Sequence, residues 1–155
     1  MKKSERVTKI LFVCHGNICR SPMAEFILKD MVRKAGISEQ FEIASAATSA
    51  EEIGNPLYYA ARQILIQHGI ACSGHQARQL TRVDGDQYDL LIGMDNANIR
   101  NMRRICPQAI NKIQLLLSYT SRPGEVDDPW YSGDFTTAWN DIQAGCEGLL
   151  ASLRK

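Results

Sequence analysis

Ile10-Leu11-Phe12-Val13-Cys14-His15-Gly16-Asn17-Ile18-Cys19-Arg20-Ser21-Pro22 is the stretch on which the reading turns. Its first four residues are apolar and rich in strand formers, and the run is too short for a helix. A loop follows, in which Gly16 and Asn17 tolerate positive φ. Ser21-Pro22 then predicts a helix start, with a capping side chain followed by proline at the first helical position. Ala24, Ile27, Leu28, Met31 and Val32 give that helix one apolar face, and Gly36 supplies its stop. The segment is thus strand, tight loop, helix, with Cys14 closing the strand and Arg20 opening the helix after five intervening residues.

The pattern repeats outward from this unit. Phe41 to Ala44 predicts a second strand, Asp89 to Met94 a third that is buried on both faces, and Ile113 to Leu117 a fourth. Between them, Asn55-Pro56 repeats the cap-then-proline signal for a helix reaching Gly69 and including Tyr58 and Tyr59. Asp95 caps a shorter helix that Pro107 closes, and Arg100, Arg103 and Arg104 give it a solvated basic face. A turn-rich stretch from Ser118 to Gly133 precedes a final helix with Phe135, Ala138, Trp139, Ile142, Leu149, Leu150 and Leu153 on one stripe. Apolar strands alternating with helices predict an α/β fold of three α/β/α layers around a central four-stranded parallel sheet. The 155 residues read as a single domain, 1–155. In such sheets ligands sit at the carboxyl ends of the strands, which favours the loop after the first strand for chemistry.

Composition narrows the class. Lys+Arg total 18 against 17 Asp+Glu, a net +1, so no nucleic-acid partner is expected. With 45% hydrophobic and 23% charged residues the chain is ordinary globular material. Five cysteines are too few and too scattered for a disulfide scaffold or a metal-ligand pattern. Met1-Lys2-Lys3 is basic, but the nearest apolar run, Ile10 to Val13, falls short of the roughly 7–15 residues of a signal peptide. No membrane partner and a cytoplasmic location are the expectations.

The loop has the make-up of an anion trap. Successive backbone N–H groups and a helix N-terminus attract an oxyanion, and the planar fork of Arg20 can grip two phosphate oxygens. The same surroundings favour the thiolate of Cys14, the reactive form of cysteine. Cys72 and Arg78 share the spacing, but no strand precedes Cys72 and no capped helix follows Arg78, so that pair reads as incidental. Attack on a phosphate ester also needs an acid for the departing oxygen. Asp127-Asp128-Pro129-Trp130-Tyr131 follows the fourth strand on the same side of the sheet. Asp128 suits the acid, and Trp130 and Tyr131 suit pocket walls.

Together these residues resemble the low-molecular-weight protein tyrosine phosphatases. Cys14 to Pro22 matches their opening signature, and Ala44 to Ser49 and His75 to Leu80 are similar to middle motifs. Met94-Asp95 with Asn98 and Asp128 to Tyr131 match later ones. The resemblance runs from about Lys9 to Leu153 and implies a phosphatase I-like fold. It also implies a phosphocysteine intermediate, no metal and no cofactor. Cys14 would be the nucleophile, Arg20 the phosphate clamp, Ser21 the thiolate's hydrogen-bond partner and Asp128 the general acid. His15, Gly16, Asn17, Ile18 and Cys19 would form the phosphate-binding loop. Asn17 would be held by Ser45 and His75, and Asp95 would pin the loop from the neighbouring strand. The partner would be a phosphotyrosine protein or small aryl phosphate, with phosphate or another oxyanion in the loop, and the protein a monomer or weak dimer.

Two details bear on this. Cys19 is placed to form a disulfide with Cys14 on oxidation. Where many members carry an aromatic wall residue before the second helix, this chain has Glu51-Glu52, and an acidic rim disfavours anionic peptides. Arsenate reductases of the same fold are a rival, though those using thioredoxin need two further close cysteines, which Cys72, Cys106 and Cys146 do not supply. Protein arginine phosphatases are a nearer one; they carry Thr after the loop Asn, where this chain has Ile18. A non-catalytic phosphate-binding module would not need Arg20 and Asp128 together.

Overall fold

A computed structural model describes residues 6–154; the Met1-Lys2-Lys3 start lies outside them. Strands β1 (Thr8–Cys14), β2 (Phe41–Ala47), β3 (Leu90–Gly93) and β4 (Ile113–Leu115) form one parallel sheet in the order β2-β1-β3-β4. Among the described residues six α-helices accompany it: α1 (Arg20–Lys34), α2 (Tyr59–Gln67), α3 (Arg82–Gln87), α4 (Asn96–Ile105), α5 (Pro129–Ser132) and α6 (Phe135–Leu153). The second strand runs three residues beyond its predicted end because its pairing with β1 continues through Cys14 to Ala47.

Side-chain alternation on β1 sorts the core. Ile10 and Phe12 enter the layer with Met23 and Leu28 of α1, Leu65 of α2 and Ile142 of α6. Leu11 and Val13 enter the opposite layer with Ile99 and Met102 of α4. All four β1 residues are fully buried, and each such side chain contributes about 1.5–3 kcal/mol of transfer free energy. Helix α6 lies against the turn Leu116–Tyr119 so closely that a Cβ on Gly148 would stand 2.1 Å from the Tyr119 carbonyl oxygen.

Several boundaries differ from expectation. The first helix begins at Arg20, with Cys19 at the cap position, and Ser21 caps nothing. Its hydroxyl is taken up by the loop. The second helix starts at Tyr59 rather than after Asn55, leaving Tyr58 outside it. Asn55 to Tyr58 stay outside the helix because their backbone groups bond elsewhere: Asn55 O accepts from Ala77 N, and Tyr58 N donates to Ile18 O. Helix α3 was not expected; Thr81 and Asp84 form its capping box.

The order places β2 on one side of β1 and β3 on the other. The chain's direction across the sheet therefore reverses at β1 and β3, and the loops leaving these two strands part to form the crevice.

Candidate active site

Cys14 ends β1 and is 3% exposed. Its Sγ lies 3.3 Å from Asn17 N, 3.4 Å from Ser21 N and 3.1 Å from Ser21 Oγ. Backbone N–H groups from the loop and from the first turn of α1 thus converge on one sulfur. Ser21 Oγ also accepts from Asn17 Nδ2 at 2.8 Å and approaches Ala46 O at 3.4 Å.

Asn17 is fully buried at φ 60°. Among the described residues it is the one non-glycine residue with positive φ. That conformation costs about 1 kcal/mol, and four contacts besides the one to Cys14 hold it. Asn17 Nδ2 donates to Ser21 Oγ and to Ser45 Oγ at 2.9 Å, and its Oδ1 accepts from Arg78 N at 3.1 Å. His75 Nε2 donates to the Asn17 main-chain carbonyl at 2.7 Å, so His75 restrains the backbone rather than the side chain. Ser45 Oγ in turn donates to Glu25 Oε1 at 2.6 Å. Gly16 needs no positive φ; its role is close approach, since a Cβ there would meet Glu52 Cγ at 3.3 Å.

Arg20 is 2% exposed. One edge is committed: Nη1 donates to Asp95 Oδ2 and to the Val126 carbonyl, both at 2.8 Å. The other faces Asp128, with Nη2 3.5 Å from Oδ2. Burial works against the guanidinium's charge, but Cys14, Asp95 and Asp128 more than offset it and hold its pKa above the ordinary value. Asp95 is also the cap of α4, accepting from Asn98 N at 2.8 Å. Asp128 caps α5, its Oδ1 accepting from Trp130 N at 3.0 Å, which leaves Oδ2 turned toward Arg20. The segment before it is tied to Met94, the residue after β3, by Val126 N donating to Met94 O at 2.8 Å.

These groups enclose a pocket of about 130 Å³. Its base is Cys14 and Arg20, and its walls include Ile18, Cys19, Asp128, Trp130 and Tyr131. His15 and Gly16 line it too, with Glu51 and Glu52 on the rim; His15 Nε2 donates to Glu51 Oε1 at 3.2 Å.

A family model described as low molecular weight phosphotyrosine protein phosphatase matches residues 9–155. The chain belongs to that family. It is similar to the low molecular weight protein-tyrosine-phosphatase YfkJ of Bacillus subtilis, at 41% identity covering 94% of this chain and 96% of that protein. The crystal structure of YfkJ superposes with a TM-score of 0.93 at 39% identity, covering 96% of this chain and 95% of the other. An arginine phosphatase from Drosophila is also similar, at 32% identity and a TM-score of 0.88 over 96% and 97% of the two chains. So is Wzb of Vibrio vulnificus, solved in complex with benzylphosphonate, at 28% identity and a TM-score of 0.84 over 94% and 99%.

Of the residues expected around the site, Cys14, His15, Gly16, Ile18, Cys19, Arg20, Glu51, Asp128, Trp130 and Tyr131 line the pocket; Asn17, Ser21 and Asp95 contact these, and Ser45 and His75 reach it through Asn17. The sequence reading missed Glu25, which orients Ser45. A carboxylate on a largely buried helix face was the available signal. It also dismissed Arg78, whose backbone N–H holds Asn17 and whose side chain pairs with Asp84 at 3.0 and 3.1 Å. Cys72 packs half-buried against the core. Burial raises the thiol pKa values of Cys106 and Cys146, as it does that of Cys19, where Cys14 adds to the effect. No described helix is long and apolar enough to cross a membrane.

Proposed function

We propose that the protein hydrolyses phosphotyrosine in proteins through a phosphocysteine intermediate. The observation that carries this reading is the convergence on one small pocket of the Cys14 sulfur, the Arg20 guanidinium and Asp128 Oδ2. Phosphoryl oxygens would bond the loop N–H groups and the free edge of Arg20, which holds phosphorus over the sulfur. The Cys14 thiolate attacks phosphorus. As the S–P bond forms, the P–O bond to tyrosine breaks, and the leaving oxygen takes the proton carried on Asp128 Oδ2. Asp128, now a carboxylate, takes a proton from water, whose oxygen attacks phosphorus. The S–P bond breaks, phosphate leaves, and Ser21 Oγ–H donates to the returning thiolate. Asn17, Ser45, His75 and Asp95 position the loop and clamp, and Trp130 and Tyr131 flank the ring of the leaving group.

The steps use protein groups and water, with no cofactor assigned, and the thiolate requires a reducing setting such as the cytoplasm. The test is rapid-quench mass spectrometry on a phosphotyrosine peptide. Phosphate on the Cys14-containing fragment of the wild type, and none in Cys14→Ser, is expected. Turnover by Cys14→Ser, or label elsewhere, would sink the assignment.

The similarity to the Drosophila arginine phosphatase supports a second reading, with phosphoarginine as substrate. Ile18 presents an aliphatic wall that suits a flat aromatic ester better. Comparing kcat/KM on matched phosphotyrosine and phosphoarginine peptides decides between them.

A further inference from the structure

A second depression adjoins the catalytic pocket. The two share Ile18, Glu52 and Trp130, and beyond them a groove of about 550 Å³ continues past Tyr58, Tyr59 and Arg62. The phosphoryl chemistry makes no use of it.

The groove is firmly built. Tyr58 N donates to Ile18 O at 2.9 Å, which ties its floor to the phosphate loop. The Tyr58 ring meets Trp130 edge-on at 4.8 Å and stacks on Phe135 at 5.8 Å. That packing fixes Trp130 yet leaves it 51% exposed, and Tyr59 beside it is 70% exposed. Glu52 stands at the junction of pocket and groove. Its Oε1 accepts from Asn55 Nδ2 at 2.8 Å, its main-chain carbonyl accepts from Asn55 N at 2.9 Å, and its Cγ rests against Gly16. The result is a half-buried carboxylate, held in place, next to exposed aromatic faces. Arg62 also lines the groove.

The geometry points to a subsite for the residue adjacent to the phosphorylated one in a protein substrate, at which Glu52 selects Lys or Arg. This rests on the tyrosine phosphatase reading. A polypeptide whose phosphotyrosine fills the pocket must leave across the rim, and the groove is the depression continuous with that rim. A cationic neighbour gains the Glu52 carboxylate and the faces of Trp130 and Tyr59 at once. An acidic neighbour meets like charge at the same point. Glu51, on the same rim, adds to the bias.

The experiment uses one phosphotyrosine peptide scaffold carrying Lys or Glu immediately before or after the phosphotyrosine. The readout is the kcat/KM ratio of Lys to Glu peptides for the wild type, Glu52→Gln and Glu52→Lys, at low and high salt. Phenyl phosphate, which carries no neighbouring residue, serves as the control. The wild type should favour the Lys peptides by about tenfold at low salt, a preference that high salt shrinks. Glu52→Gln should bring the ratio to within about twofold of unity and Glu52→Lys should invert it. A flat ratio in the wild type, or one that survives both high salt and Glu52→Gln, overturns the proposal. A preference for Glu peptides does so as well, since it would hand the choice to Arg62. If phenyl phosphate is hydrolysed and the ratio is flat, the subsite alone fails. If no aryl phosphate is hydrolysed, the phosphatase reading fails and takes the subsite with it.

Discussion

Asp128 and Arg20 face each other across the catalytic pocket, Oδ2 to Nη2, at 3.5 Å. Asp128 is fixed from behind by its cap to Trp130 N, and Arg20 by Asp95 and the Val126 carbonyl. The proposed proton donor and the proposed phosphate clamp are thus oriented by separate anchors and meet only where the leaving oxygen would lie.

Asp128→Asn should therefore cost most where the leaving group most needs a proton. Aryl phosphates with poor leaving groups should slow by roughly 10²–10⁴-fold and activated ones far less. The check is a plot of log kcat/KM against leaving-group pKa. A uniform loss across the series would contradict the acid assignment.

Ser21→Ala should act on the second half of the cycle. It removes the hydroxyl 3.1 Å from Cys14 Sγ while leaving the Ser21 backbone donor in place. Phosphoenzyme should then accumulate, giving a burst of phenol release ahead of a slower steady state. Equal slowing of burst and steady state would place the hydroxyl's contribution in the first half instead.

Asn17→Ala removes three side-chain hydrogen bonds at a residue with φ 60°. A loss of about 2–4 kcal/mol in stability is expected, read as a lower midpoint in urea. Asn17→Gly relieves the backbone but not the lost bonds, so it should recover only part of the stability and little of the kcat.

Cys14 and Cys19 line the same pocket. Peroxide treatment should give a Cys14–Cys19 disulfide whose reduction restores activity. Cys19→Ser should instead lose activity irreversibly as Cys14 proceeds to sulfinic acid. Mass spectrometry separates the products, and a stable sulfenic acid at Cys14 in the wild type would rule out the pairing.

Asp30 sets part of the acid stability. Its burial raises the carboxyl pKa, but bonds from Lys34 and Arg33 outweigh that and hold it below the ordinary value. A depressed native pKa gives stability that is complete above about pH 4, the unfolded value, and is lost as pH falls through the native one. Asp30→Asn should flatten the fall in stability below about pH 4, measured by urea midpoints across pH. An unchanged slope would show that other carboxylates govern it.

The first unit was legible because local signals agreed in it: four β-formers in Ile10 to Val13, loop residues, then an apolar helix face. Signals that depend on distant backbone were not. Asn55-Pro56 has the composition of a helix start, yet the Asn55 carbonyl is bonded to Ala77 and Tyr58 to Ile18, which no local rule foresees. The same blindness hid Arg78, 61 positions from Asn17, whose contribution is a main-chain N–H and so leaves no mark on residue type. Thr81-Arg82-Val83-Asp84, by contrast, carried a readable capping box. Ser21 carried two readings for a related reason: a hydroxyl at a helix start suits a cap and a thiolate equally, and here it lies 3.1 Å from the Cys14 sulfur.

One carboxylate gives the molecule an unusual mechanical unity. Asp95 holds the first turn of α4 with one oxygen and Arg20 with the other. Arg20, the proposed phosphate clamp, and the first turn of a helix on the far side of the sheet thus share one anchoring carboxylate, so that loosening at either is expected to be felt at the other. Amide exchange at Asn98 becomes a gauge of the active site, and an oxyanion seated in the loop should slow it from across the crevice.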